Sequence, residues 1–331
     1  MEKFLAASII KSRAQKRLRP LVEVMPDLRV RFTAENDLVY DVAIEKTSGG
    51  FDLVLANRVA GPFRHLFNTV AGRLPAMLYW RMMASDDVGR IVTHMSDGDH
   101  WSEGGFLFCT QRAEKTALPD LYFFNEMGFQ ALRDRAGDEL LPWDQRSTDI
   151  VWRGGPNGNG YFNVFPDLAD HPATRQRIRL AWHCMGSEID FGFPEPKHTA
   201  YYPVLKAAGM LRDRVEHTAW FGKKYAIDID GFANSWDNLF HRLLMGCCVF
   251  KVASDFGFRM WYYDRLKPWE HYVPVRADFA DLEERIAWAR DHDAEARAIA
   301  ENGRALANAM SFEAEARVAG QLIDENWERY I

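Results

Sequence analysis

KYAIDIDGFANSWDNLFHRLLMGCCVFKV, Lys224 to Val252, is the stretch on which the fold turns. Its first apolar run, Tyr225 to Ile229, ends at Asp230 and Gly231. A polar loop follows, then a segment of helical spacing around FHRLL, then a second apolar run from Cys248 to Val252. Strand, loop, helix and buried strand form one unit of a parallel sheet covered on both faces. Gly231 allows a tight exit from the first strand. Asn234 and Ser235 stand where the helix begins and offer donors there. Free N–H groups at such a helix start, and its positive end, suit a diphosphate.

Outward from this unit the pattern continues. WYYDRLKPWEHYVPVRADFADLEERI, 261–286, predicts an aromatic and basic loop, a short strand at 272–275 and a helix. Asp281 with Glu284 three residues on predicts a capping box. Further helices are predicted at 294–307, 311–329 and 175–185. Upstream, residues 28–56 alternate as strands, with Ser48-Gly49-Gly50 as a turn. Residues 61–85 read as helix interrupted at Pro75. Short strands are expected at 91–94, 106–109 and 150–153.

The chain has 331 residues, enough for two domains. Its net charge of −6 excludes a protein built to coat nucleic acid. The four cysteines, Cys109, Cys184, Cys247 and Cys248, show no CxxC spacing, which predicts a reducing, cytoplasmic setting without a disulfide framework. No apolar run approaches a membrane span, and the start of the chain does not read as a secretory signal. In residues 1–20, Phe4, Leu5, Ile9 and Ile10 are interleaved with Lys11, Arg13, Lys16, Arg17 and Arg19. That is either an amphipathic helix resting on the inner membrane or a surface helix packed on its own domain.

Four constellations carry chemistry. THMSDGDH, 93–100, follows a strand and sets Asp97 and Asp99 about a glycine, where ligands collect in α/β sheets. Either aspartate can serve as a general base, or both can cap a turn. His94 and His100 bracket them, so a metal-dependent hydrolase site of His94, Asp97, Asp99 and His100 is the alternative from another class. VWRGGPNGNG, 151–160, follows a strand with a glycine-rich loop whose N–H groups can approach phosphate. Arg153, Gly154 and Gly155 are its candidates. Asp228-Ile229-Asp230 has the DxD form of metal-dependent transferases, a triplet common by chance. Arg259, Trp261, Tyr262, Tyr263 and Trp269 supply aromatic faces and basic tips suited to a nucleotide or sugar, or pack as a loop.

The ordered set DIDG, FHRLL, LKPW, HYVPV and ENGRALA resembles the catalytic core of glycosyltransferase family 90. That family includes protein O-glucosyltransferases, fungal capsule-associated transferases and bacterial lipopolysaccharide-modifying enzymes; the cytosolic bacterial branch fits this chain. The resemblance implies an α/β, GT-B fold of two Rossmann-like domains facing across a cleft. It implies an acceptor-side domain in 1–140, a nucleotide-sugar-binding domain in 141–310, and a C-terminal helix in 311–331 crossing back to the first. It implies an inverting transferase with Asp97, or Asp99 after a register slip, as base. The donor, UDP-linked in this reading, would be held by Arg153, Gly154, Gly155, Gly231, Asn234, Ser235 and Arg259, without a metal or other cofactor. A further family arginine corresponds to Arg175, Arg177 or Arg179. The family arginine that enters the helix after Ser235 is replaced by Leu239 behind an insertion of two residues, and His241 or Arg242 is expected to compensate. The implied acceptor is a lipopolysaccharide or other cell-envelope glycan. Protein O-glycosylation and a non-catalytic glycan-binding relative are the variants.

Overall fold

The computed structural model describes residues 1–34, 38–61, 64–99, 102–195 and 200–330. In chain order it runs α1 (Glu2–Leu18), β1 (Asp27–Thr33), β2 (Asp41–Lys46), β3 (Gly50–Ala56), α2 (His65–Met82) and β4 (Arg90–His94). Next come β5 (Phe106–Leu107), β6 (Cys109–Thr110), β7 (Thr116–Ala117), α3 (Leu121–Asn125), α4 (Gln130–Glu139), β8 (Val151–Arg153) and α5 (Gln176–His183). Then follow β9 (Asp190–Gly192), α6 (Tyr202–Ala207), β10 (Tyr225–Asp228), α7 (Asp237–Leu244), β11 (Cys248–Val252) and β12 (Arg259–Met260). The chain closes with β13 (Val273–Val275), α8 (Leu282–Asp291), α9 (Asp293–Ala309) and α10 (Phe312–Asn326). The fold is mixed α/β.

Two compact units emerge: Met1–Gly128 with Phe258–Tyr262 and Ser311–Ile331, and Phe129–Gly257 with Tyr263–Met310. Residues 129–140 therefore group with the second unit, and α10 groups with the first.

The first unit carries a six-stranded sheet in the order β1-β3-β2-β4-β5-β7. β2 runs antiparallel to both β3 and β4, while the other neighbours are parallel. This mixed sheet differs from the parallel, Rossmann-like sheet that the family resemblance implies for this part. The physical reason is the tight turn at Thr47–Gly49, too short for anything but an antiparallel return. α1 buries Ala6, Ile10, Ala14 and Leu18, one residue per turn. α2 is buried along most of its length, so it runs unbroken through Pro75, where an interruption was expected. Packing of Trp80 with Phe124 and Phe312 outweighs the one backbone hydrogen bond that proline forfeits. The Trp80 indole donates to the Pro119 carbonyl at 2.8 Å.

In the second unit β10, β11 and β13 form a parallel sheet, and β8 pairs β9 in parallel. The βαβ reading of 224–252 holds. Beneath it lies a core that includes Trp152, Phe191, Tyr225, Ile227, Phe250 and Val273. The capping box at Asp281 is not made. Its carboxylate instead accepts from the Arg276 amide at 2.9 Å and pairs with Arg285.

Candidate active site

In the second unit the loop after β10 meets the glycine-rich loop after β8. Arg177, the second residue of α5, joins them. Its guanidinium donates to the Gly155 carbonyl at 3.2 Å, to Asn157 Oδ1 at 2.7 Å and to the Ile229 carbonyl at 3.0 Å. It also lies over the Trp152 ring at 5.2 Å. Burial pushes its pKa down to about 10, and Asp230 and Asp228 oppose that. The fit is close: a Cβ on Gly231 would stand 3.1 Å from Asn157 Nδ2 and 3.4 Å from Arg177 Nη2. A Cβ on Gly154 would meet the Trp152 ring at 2.5 Å.

Carboxylates line the same place. Asp228 is wholly buried, accepts from Asn238 Nδ2 at 3.0 Å and pairs with Lys251 at 3.3 Å. Burial works against the Lys251 charge, but Asp228 and Asp230 win and raise its pKa. Asp230 is buried, and neither of its oxygens has a well-formed hydrogen bond. Burial pushes its carboxyl up to about 6; Lys251 pulls down, Asp228 pushes up, and the Ser254 hydroxyl and Arg177 pull down less strongly. Asn234 Nδ2 and Ser235 Oγ, also buried, lack hydrogen-bond partners. The Gly231 amide donates to the Asn234 carbonyl at 2.9 Å, which folds the loop into a turn. The result is a cradle of unsatisfied donors and acceptors beside one arginine and one lysine, suited to a ligand with phosphate and hydroxyl groups.

Other sequence candidates lie elsewhere. Arg153 turns to Asp190 at 2.6 Å and to the Asp213 carbonyl at 2.7 Å, and so ties β8 to β9. Gly155 is exposed and lends its carbonyl to Arg177. Leu239 is a core residue. His241 and Arg242 do not reach the loop cradle. His241 Nδ1 faces His217 Nε2 at 3.0 Å, and Arg242 lies on the Trp220 ring at 3.7 Å. Burial pushes both histidines well down, His217 to about 4, and Arg242 down to about 10. Of the three arginines left open, Arg175 donates to the Pro156 carbonyl at 3.1 Å and Arg179 pairs with Asp255. Arg259 sits in β12 of the first unit and donates to the Arg112 carbonyl at 3.1 Å.

The first unit holds the other half of the candidates. Asp97 is half exposed and paired with Arg73 of α2, whose other nitrogen donates to the Met95 carbonyl at 2.8 Å. Asp99 is wholly buried. One of its oxygens accepts from the Thr110 hydroxyl and, at 3.0 Å, the Gln111 amide; the other has no hydrogen bond. Asp97 is thus the accessible carboxylate and Asp99 a loop anchor. His94 is buried, with Nδ1 against Asp41 and Nε2 2.7 Å from Ser96 Oγ. Both ring nitrogens are committed. His100 lies outside the described residues. Among the described residues no group of three His, Cys, Asp or Glu side chains is placed to hold a metal ion.

Two participants escape sequence reasoning: Lys251, and Arg177 as a choice among three. Lys251 does leave a signal, since a lysine inside an apolar strand must find a buried partner.

A family model, glycosyl transferase family 90, matches residues 62–314. Uncharacterized protein 035R of Invertebrate iridescent virus 3 is 32% identical over 174 residues, covering 48% of this chain and 15% of the relative. Protein O-glucosyltransferase 2 of Danio rerio is 36% identical over 118 residues, 36% of this chain and 22% of the relative. The chain thus spans less than a quarter of the length of either. Neither relative bears on the bacterial branch. Among solved structures, sucrose-phosphate synthase from Thermosynechococcus elongatus is similar with a TM-score of 0.35 and 15% identity. That likeness covers 59% of this chain and 49% of the other.

Proposed function

The chain belongs to glycosyl transferase family 90 and is a glycosyltransferase; from that premise we propose that it transfers a sugar from a UDP-linked donor, with inversion, to a hydroxyl of a lipopolysaccharide or other cell-envelope glycan. The observation that carries the donor half is the set of buried, unpartnered polar atoms on Asp230, Asn234 and Ser235 beside Arg177. Leaving such groups unpaired costs about 1–3 kcal/mol each, a cost that a bound ligand removes.

The roles divide as follows. The Asp97 carboxylate takes the proton of the acceptor hydroxyl. The freed oxygen bonds to the anomeric carbon as the bond from that carbon to the phosphate oxygen breaks. UDP departs with the electron pair, its charge met by Arg177 and the amides of the Gly154–Gly155 and Gly231–Ser235 loops. No metal is called for in this reading. The two-domain GT-B arrangement is part of the proposal and rests on the family resemblance. So does a cytoplasmic setting, which cysteines buried as thiols favour.

Transfer to protein is the second reading, favoured by the relative named as a protein O-glucosyltransferase. It makes glucose the first donor sugar to try. The test is a thermal-shift screen with UDP, GDP, ADP and CMP, followed by turnover of UDP-glucose on a glycan and on a protein acceptor. A selective rise in Tm with UDP is expected. Asp97→Asn should then lose about 10²–10⁴ in turnover while still binding UDP. No shift with any nucleotide would overturn the proposal. Full turnover in Asp97→Asn would remove that residue as the base.

A further inference from the structure

We propose that α1 docks the protein on an anionic phospholipid surface, with its first turn in the interface and its last turn on the headgroups. This inference does not depend on the donor-site reading.

Residues 1–19 hold six bases, Lys3, Lys11, Arg13, Lys16, Arg17 and Arg19, and one acid, Glu2, while the whole chain carries −6. The rest of the molecule is therefore acidic. An anionic surface attracts this segment and repels the remainder, which imposes an orientation.

The helix is divided along its length as well as around it. Ala6, Ile10, Ala14 and Leu18 face the unit's own core. The opposite face, at helical spacing, runs Leu5, Ser8, Ser12, Lys16, Arg19. Phe4, at 83% exposure, and Leu5, at 47%, are out in solvent in the first turn. A folded core has no use for a phenylalanine held there, whereas the acyl boundary of a bilayer does. In the last turn Lys16, Arg17 and Arg19 are exposed, and none has an ion-pair partner among the described residues.

Beside that last turn lies a cavity of about 560 Å³ in the same unit. Arg13, Lys16 and Arg17 line one side, and Leu21, Pro75 and Phe124 are among its apolar walls. Cations about an apolar recess fit a phosphate headgroup with the start of its acyl chain. Arg13 is held in place by Asn68 at 3.3 Å and by the Phe67 ring. A small anion uses the cations alone; a surface of anionic amphiphiles uses the cations, the recess and Phe4 together.

The test is co-sedimentation of the full chain with vesicles of phosphatidylcholine, and of phosphatidylcholine with roughly a third phosphatidylglycerol. Binding is expected to the anionic vesicles, at least about tenfold above the neutral ones, and to fall as salt rises. Lys16→Glu/Arg17→Glu/Arg19→Glu should abolish that preference, and Phe4→Ser/Leu5→Ser should weaken binding at every salt concentration. Both variants change exposed side chains, so Tm should stay at the parent value; the milder Lys16→Gln/Arg17→Gln/Arg19→Gln serves if the charge reversal does not fold. Equal partitioning to both vesicles, or a charge-reversed protein that pellets like the parent, overturns the proposal.

Discussion

Replacing Asp230 with asparagine should stabilise the free protein and weaken its hold on UDP. Asp230 has an ordinary carboxyl value of 3.8 in the unfolded chain and about 6 when folded. Between those two pH values the folded chain keeps a proton that the unfolded chain has released. Stability therefore falls as pH rises through that window, and the penalty is complete above pH 6. Holding the charge at neutral pH costs about 3 kcal/mol. The side chain is buried, so solvent screening does not reduce the figure much. Asparagine removes the charge and keeps the shape but still buries polar atoms, so a gain of about 1–3 kcal/mol is expected at pH 8. The gain should shrink toward pH 4, where the parent carboxyl is neutral too. Urea unfolding of both proteins at pH 4.5 and pH 8, with UDP titration at pH 8, reads both effects. UDP affinity should drop by roughly tenfold or more, because a charged acceptor for ligand hydroxyls becomes a neutral one. A variant less stable than the parent at pH 8, with unchanged UDP affinity, would refute the reasoning. Asp230 would then be an anchor for Lys251 and Arg177 and not a group kept unpaired for a ligand.

Arg177→Lys should fold yet lose roughly tenfold or more in UDP affinity, since an ammonium cannot make the three divergent hydrogen bonds of the guanidinium. Calorimetric titration would show it; parent-like affinity would take Arg177 out of the donor site. Arg177→Ala should in addition destabilise by about 1–3 kcal/mol through the Ile229 carbonyl it leaves buried and unpaired, read from denaturant unfolding. Arg242→Met should leave UDP affinity within about threefold, because Arg242 stacks on Trp220 and a flexible apolar chain can fill that place. A tenfold loss would restore Arg242 as the substitute for the family arginine missing at Leu239.

The second unit is more legible in the sequence than the first, and particular residues show why. In 224–252 the apolar runs, the glycine exit and the helical spacing all favour one local outcome, and the observed β10, α7 and β11 follow it. In residues 27–56 the same alternation is compatible with parallel or antiparallel pairing, and a short turn settles the matter against the parallel pattern. Site residues divide along the same line. Gly231 is readable because a tight exit is a local demand. Arg153 is misleading because its partner, Asp190, comes from another strand. Arg175, Arg177 and Arg179 alternate along one stretch, and only their distant partners separate them: Pro156, the paired loops and Asp255.

The loop after β10 nevertheless breaks local rules in the folded chain. Trp236 is held at a φ of 53°, a conformation that bulky side chains rarely adopt. It lies in the segment where the chain departs from the family pattern, directly after the unpartnered Asn234 Nδ2 and Ser235 Oγ. A folded chain selected for stability alone would relax that backbone or satisfy those atoms, and Asp230 would be neutral or paired. Strain, orphaned polar atoms and a buried carboxylate without a well-formed hydrogen bond within seven residues, from Asp230 to Trp236, are mutually reinforcing costs. They are offset together only if something binds there, and the chemistry left open calls for hydroxyl donors against Asp230 and an anion against Arg177.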